Sequence, residues 1–193
     1  MTDNAYHHGD LRNCLIKAGI ELINQVGEQQ FSLRKVCAQC SVSQAAPYSH
    51  FKNKEDLLKA MQDHVIGQFM GVLESAIASC PDQNDPNVII QMGRSYVLFF
   101  IENPQYFQFL FSHSNMQINL SIDESGDNNF PPLELLKTVA VPILGKQLSK
   151  EKMEDTIISL WATVHGLASI ATMKNIHYEK RWEDKITDII WNR

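Results

Sequence analysis

The 193-residue chain lacks any run of about 18 apolar residues, the length a membrane-spanning helix needs. Its most apolar segment, Tyr96 to Ile101, is far shorter, so no membrane partner is expected. The first ten residues are polar and carry no apolar leader core, so no export signal is expected either. Cysteine is scarce: Cys14, Cys37, Cys40 and Cys80 stand at no regular spacing, which excludes a disulfide framework. Together these absences point to a reducing cytoplasm. Cys37-Ala-Gln-Cys40 is a C-x-x-C, but no second Cys/His pair follows at finger spacing, so no metal or other cofactor is expected. Buried small residues are one reading of that motif and a redox switch the other. A nucleophile elbow, a phosphate loop and a paired-carboxylate pattern are all missing, which argues against an enzyme. Repeats and low-complexity tracts are absent, and alternating strand patterns are few. Acidic residues are missing from Gln29 to Lys54, where Arg34, Lys35, Lys52 and Lys54 are all basic. In a chain of net charge −5, that local field attracts phosphate at one place.

A hydrophobic content of 44% suffices for a real core. Apolar residues recur at three- and four-residue spacing, which predicts helices nearly throughout. The first starts near Gly9 or Asp10, runs along Leu11, Leu15, Ala18, Leu22 and Val26, and stops at Gly27. Ser32 caps a second helix, with Leu33, Val36 and Cys37 inward, and Ser43 caps a short third one through about Ser49. A long fourth helix spans Lys54 to about Ala78, with Leu57, Leu58, Met61, Val65, Phe69, Val72 and Leu73 on its apolar side. A fifth ends at Glu102, and Pro104 restarts the chain as a short aromatic helix. Asp123 to Asn129 reads as a mobile loop. Leu133 to Leu148 is helical, with a kink or split expected at Pro142. Lys150 to Met173 and Arg181 to Trp191 complete the set.

The segment FSLRKVCAQCSVSQAAPYSHFKNKEDLL, Phe31 to Leu58, has the layout of a helix-turn-helix. In that motif one helix enters a major groove about 12 Å wide while its partner braces it. The short third helix offers Ser43, Gln44, Ala45, Ala46, Ser49 and His50 outward. Gln44 suits an adenine edge, and Ala45 or Ala46 a thymine methyl. Tyr48, Lys54 and the amino end of the second helix at Ser32 suit phosphate. Pro47 is tolerated near the helix start, and Val42 and Phe51 are expected in the core. A plain three-helix packing motif is the competing reading. His7-His8 could touch DNA as an arm, although a floppy terminus fits better.

With these residues in view, 9 to 60 resemble the DNA-binding domain of the TetR family of bacterial transcriptional regulators. GDLRNCLIKAGIELINQVG and the following Phe31–Leu58 segment carry the likeness, most specifically Tyr48 to Leu57. The resemblance implies an all-α homodimer with two recognition helices on a palindromic double-stranded operator. It assigns Arg34 to guanine reading, Gln44, Ala45, Ala46, Ser49 and His50 to the base-facing surface, and Tyr48 and Lys54 to phosphate. Ser41 stands where the family usually has glycine, so a left-handed backbone is expected there at mild cost. Trp161-Ala-Thr-Val-His165-Gly166 is similar to a Trp-xxx-His-Gly signature of one C-terminal subgroup, and Tyr6 to Arg12 fits the same subgroup.

The resulting expectation is a helix-turn-helix DNA-binding domain over 1–60 and a helical ligand-binding and dimerisation domain over 61–193, linked by the fourth helix. Candidate walls for a small apolar or aromatic effector are Met70, Met92, Tyr96, Phe99, Phe100, Phe107 and Phe111. Simple core is the alternative for the aromatics. Trp161 and His165 lie one turn apart on one face and are ligand candidates or a packing pair. Gly166 would let a neighbouring helix approach closely. Leu160, Val164 and Leu167, with Trp182, Ile186, Ile189 and Ile190, form stripes suited to a dimer four-helix interface or to burial within one subunit; the resemblance favours the interface. The function expected is a repressor released from its operator by the effector. The competing function is an effector-independent DNA-binding protein of chromosome organisation or cell division.

Overall fold

The computed structural model describes residues 11–113, 116–123 and 129–191. His7-His8, the Gly9/Asp10 helix start, Tyr6 and most of the 123–129 loop lie outside the described residues. Among the described residues every regular element is helical. The chain divides into two compact units, one of residues up to Val65 plus Gln108–Ser114, the other of Ile66–Phe107 plus Asn115–Arg193.

In the first unit, α1 (Leu11–Val26) buries Leu11, Leu15, Ala18 and Leu22, together with Ile16, Ile20 and Ile23. Val26 is only half-buried. Gly27 adopts φ 74°, and its N–H donates to the Ile23 carbonyl at 2.8 Å. A side chain there would meet the left-handed penalty that ends helices at glycine. Ser32 is extended, and its Oγ accepts from the Lys35 N–H at 3.4 Å to open α2 (Leu33–Gln39). Past the cap at Cys40, the Ser41 N–H donates to Ala38 and the Val42 N–H to Cys37, the paired bonds of a Schellman ending. Ser41 holds φ 55° there, the left-handed turn expected of it. Val42 is half-buried rather than core, whereas Phe51 is buried.

The third helix departs from expectation. It is a 3-10 helix over Ala46–Ser49, preceded by a turn in which the Ala46 N–H donates to the Ser43 carbonyl. Its N-cap is Ala45 rather than Ser43, and no side chain caps it. Pro47 supplies the reason: without an N–H it cannot bond back to Ser43, so the α-helical ladder never starts and i→i+3 bonds take over.

α3 (Lys54–Ala78) is opened by Asn53, whose Oδ1 accepts from the Asp56 N–H at 2.8 Å, while Asp56 Oδ2 accepts from the Lys52 N–H at 2.9 Å. It supplies Leu57, Met61 and Val65 to the first core and Phe69 and Leu73 to the second. Leu58 is half-buried and Val72 exposed, so its apolar side is narrower than the sequence suggests.

In the second unit, α4 (Asn87–Glu102) packs against α6 (Pro131–Leu144), α7 (Lys150–Thr172) and α8 (Trp182–Trp191). The short α5 (Pro104–Ser112) follows α4, as Pro104 predicts. α6 begins two residues earlier than expected, because Pro131 and Pro132 fill first-turn positions that need no N–H donor. It stops at Leu144, and Pro142 falls in its final turn instead of splitting it.

Candidate functional site

The first unit presents an exposed surface built by the turn and the 3-10 helix. Ser43, Gln44, Ala45, Tyr48, Ser49 and His50 are exposed and Ala46 half-exposed, whereas Pro47 and Phe51 anchor the segment from beneath. Tyr48 is the extreme case, an aromatic 62% exposed. Its ring and hydroxyl are both open to solvent and accessible to a partner. The Ser49 hydroxyl donates to the Ala46 carbonyl at 2.8 Å, leaving its oxygen to accept from a base. Arg34, Lys35 and Lys52 are exposed and Ser32 half-buried. Lys35 and Lys52, which the sequence places in the basic field but not among the contact residues, are exposed along with them.

Lys54 is held differently. Its Nζ donates to the Glu28 carbonyl at 3.0 Å and lies 5.7 Å from the Phe31 ring centre. The ammonium thus braces the loop between α1 and α2, and its remaining donors are what a phosphate could take. Arg12 lies 5.5 Å from the Phe51 ring centre and tethers α1 to the base of the reading segment.

In the second unit the aromatics are tightly interlocked. Phe69 stacks on Phe99 at 4.9 Å and meets Tyr96 edge-on at 5.0 Å, and Phe100 packs on Phe69 at 4.7 Å. Phe107 contacts Phe100 and His165, and His165 contacts Trp161. Beside this cluster lies an apolar cavity of about 30 Å³. Of the candidate ligand residues, Met92, Tyr96 and Trp161 line it; Met70, Phe99, Phe100, Phe107 and His165 do not, and Phe111 falls in the first unit. Sequence reasoning missed Ile89, Gly93, Pro132 and Leu136 as walls. Gly93 was the readable sign: a Cβ there would stand 3.2 Å from both Ile190 and Val164, so the helices meet closely at that point.

Two of the cavity walls carry side-chain polar atoms, Tyr96 and Trp161, and His165 meets the first of them. The Tyr96 hydroxyl lies 3.1 Å from His165 Nδ1. Burial pushes the Tyr96 pKa up, opposed by the Trp161 indole, and burial pulls the His165 pKa down. Burial thus favours a neutral phenol beside a neutral imidazole, and the His165 tautomer sets which of the two donates. The Trp161 N–H is near enough to oppose the tyrosine shift, yet it is buried without a partner in bonding geometry.

The candidate interface residues separate into two groups. Val164, Ile186 and Ile190 are buried within the single chain, whereas Leu160, Leu167, Trp182 and Ile189 stay half-exposed. Leu160, Val164 and Ile190 line the cavity. The Trp182 ring packs on Tyr178 at 4.8 Å. Nothing approaches Gly166 within 4 Å of a Cβ position, so within the chain it permits no close helix contact. Among the described residues no three His, Cys, Asp or Glu side chains stand together as a metal site, and no helix is long and apolar enough to cross a membrane.

Residues 15–61 match the family described as "Bacterial regulatory proteins, tetR family". Residues 89–188, which include the cavity walls on α4, α6 and α7, match "Tetracyclin repressor-like, C-terminal domain". The chain is similar to tetracycline repressor protein class G of Vibrio anguillarum, 34% identical over 74 residues, 38% of this chain and 32% of that protein. It is also similar to the fatty acid metabolism regulator protein of Bacillus subtilis, 35% identical over 63 residues, 33% of this chain and 32% of that protein. The chain thus spans 32% of the length of both relatives. A TetR-like transcriptional regulator from Rhodococcus sp. RHA1 shares the fold, with a TM-score of 0.71 over 95% of each chain at 15% identity.

Proposed function

We propose that this chain, which belongs to the tetR family of bacterial regulatory proteins, is a sequence-specific DNA-binding transcriptional regulator that works as a homodimer on a palindromic operator in the cytoplasm. The observation that carries the reading is the exposed face formed by Ser43, Gln44, Ala45, Tyr48, Ser49 and His50, in a stretch with no acid between Gln29 and Lys54. Gln44, Ala45, Ala46, Ser49 and His50 face the bases, with Arg34 beside them, while Ser32, Tyr48 and Lys54 hold phosphates. Genome-wide mapping of bound sites tests this: a shared palindrome supports it, and binding without any common sequence removes it.

The finer reading is a repressor released by a small apolar effector in the second unit. The support is the orphaned Trp161 N–H at an apolar cavity, a donor whose unmet bond costs roughly 1–3 kcal/mol and that an acceptor-bearing ligand would satisfy. A cavity of about 30 Å³ is far below the several hundred Å³ of ordinary ligand sites, so binding has to open it. α3 contributes residues to both units and is the element through which such an opening would reach the reading segment.

The tight aromatic packing favours the second reading, DNA binding without an effector, as in chromosome organisation or cell division. A thermal-shift screen of apolar metabolites followed by operator titration separates the two. A stabilising compound that also weakens operator binding supports release; stabilisation by none supports the effector-independent protein. Coupling, if present, must be reciprocal, with operator weakening the compound by the same factor.

A further inference from the structure

The sequence draws attention to Cys37 and Cys40, but the structure turns Cys40 toward another partner. Cys14, in the first turn of α1, and Cys40, the residue that caps α2, have their Sγ atoms 3.0 Å apart across 26 residues of sequence. Both are free thiols. A disulfide has an S–S length of about 2.05 Å, so an approach of about 1 Å closes the bond. Neighbouring elements already hold the pair in register: the Gln39 amide donates to Glu21 at 3.0 Å, tying the end of α2 to α1 on its exposed side.

We propose that Cys14 and Cys40 are an oxidisable dithiol, a modification site in the first unit that peroxide converts reversibly to an intramolecular disulfide. Cys14 is half-buried and Cys40 buried, so the oxidant reaches Cys14 first. The Cys14 thiolate attacks a peroxide oxygen, the O–O bond breaks, and the departing hydroxide leaves as water, giving a sulfenic acid. Cys40 then gives up its proton, and its sulfur attacks the Cys14 sulfur. The S–O bond breaks, a second water leaves, and the S–S bond remains. Two thiols and one hydrogen peroxide become one disulfide and two waters, with two electrons passing to the peroxide.

The order of the steps fits the surroundings. Burial first, then Cys14, Cys37 and Glu21, push the Cys40 thiol up to about 12, so Cys40 is not the first nucleophile and must lose its proton as it attacks the Cys14 sulfenic acid. Cys37 is buried, and burial raises its thiol too, so it competes poorly for the oxidant. The bond would join α1 to the residue just before Ser41, whose φ of 55° sets the turn into the reading segment. Closing a loop of this length restricts the unfolded chain, so the oxidised form should also melt at a higher temperature.

The test uses the full chain treated with stoichiometric hydrogen peroxide and analysed by intact mass and non-reduced peptide mapping. The expected result is a loss of about 2 Da, a Cys14–Cys40 linked peptide, a raised melting midpoint, and reversal of all three by dithiothreitol. Cys14→Ser and Cys40→Ser should each abolish the mass loss, and Cys37→Ser should keep it. A Cys37–Cys40 link, a link between chains, or a gain of about 32 Da as Cys14 sulfinic acid without a disulfide would overturn the proposal. The wild-type peptide map decides even where a serine variant folds poorly, and no operator measurement enters, so failure here leaves the DNA-binding reading standing.

Discussion

The Tyr96 hydroxyl on α4 and His165 Nδ1 on α7 stand 3.1 Å apart although 69 residues separate them in sequence. Burial favours a neutral imidazole at this contact by pulling the His165 pKa down. Burial lowers His64 as well, helped by the charges of Lys17 and Arg12. The sign follows from linkage. Above the unfolded histidine value of about 6.5 neither state binds the extra proton, so stability is unaffected. Below it the unfolded chain takes up protons that the folded chain resists, so stability falls as pH drops from about 6.5 toward the depressed folded values. Thermal midpoints measured between pH 7.5 and 5 should therefore decline. His165→Gln, which keeps a polar acceptor that does not titrate, should flatten part of the decline; an unchanged slope in that variant would take His165 out of the explanation.

Lys54→Ala should weaken operator binding without changing base preference. A lost phosphate contact lowers the salt slope by about one unit per half-site. The bond to the Glu28 carbonyl adds a second expectation, a stability loss of about 0.5–1.5 kcal/mol in denaturant unfolding, at the low end for a charged donor because the site is partly wet. An altered selected sequence with an intact salt slope would reassign Lys54 to base reading.

Gln44→Ala should lose discrimination at one or two base pairs of each half-site, by about 1–3 kcal/mol each. Gln44 is exposed at the turn entering the 3-10 helix, where both its amide donor and its acceptor are free to meet an adenine edge. Selection from a random library should show those positions flattened. If wild type and variant select the same motif, Gln44 has no part in the readout.

Much of the first unit was legible because its signals are local. Gly27, Ser32 and Ser41 announce their backbone roles by residue type and position, and each adopts the expected one. Pro47 reads as tolerated by its position near the helix start, yet one missing N–H in so short a segment is enough to replace an α-helix with 3-10 turns. The second unit was less legible because periodicity names a face but not what covers it. Val164, Ile186 and Ile190 have the spacing of an interface and are spent instead on their own core. Phe111 belonged with the aromatic cluster by proximity in sequence, but the unit boundary falls inside α5. The cavity needs four helices to converge, and Cys14–Cys40 needs two, and neither convergence is written in any local pattern.

That division decides how a dimer should be tested. Leu167 is half-exposed and Ile170 is 43% exposed, both on α7, with open space over Gly166 between Leu167 and His165 in the chain. These residues have apolar surface left for a second copy, whereas Ile186 is fully buried. Leu167→Asp combined with Ile170→Asp should give a folded monomer with a helical spectrum like wild type and no operator binding at concentrations where wild type binds. Ile186→Asp should behave otherwise. A carboxylate in that position has no partner, and an uncompensated buried charge costs roughly 3–5 kcal/mol, so the variant should unfold or become insoluble rather than dissociate cleanly. Sedimentation of the purified proteins reads the difference directly. A double variant that keeps the wild-type dimer mass would move the interface away from this face of α7, and a folded monomeric Ile186→Asp protein would return Ile186 to it.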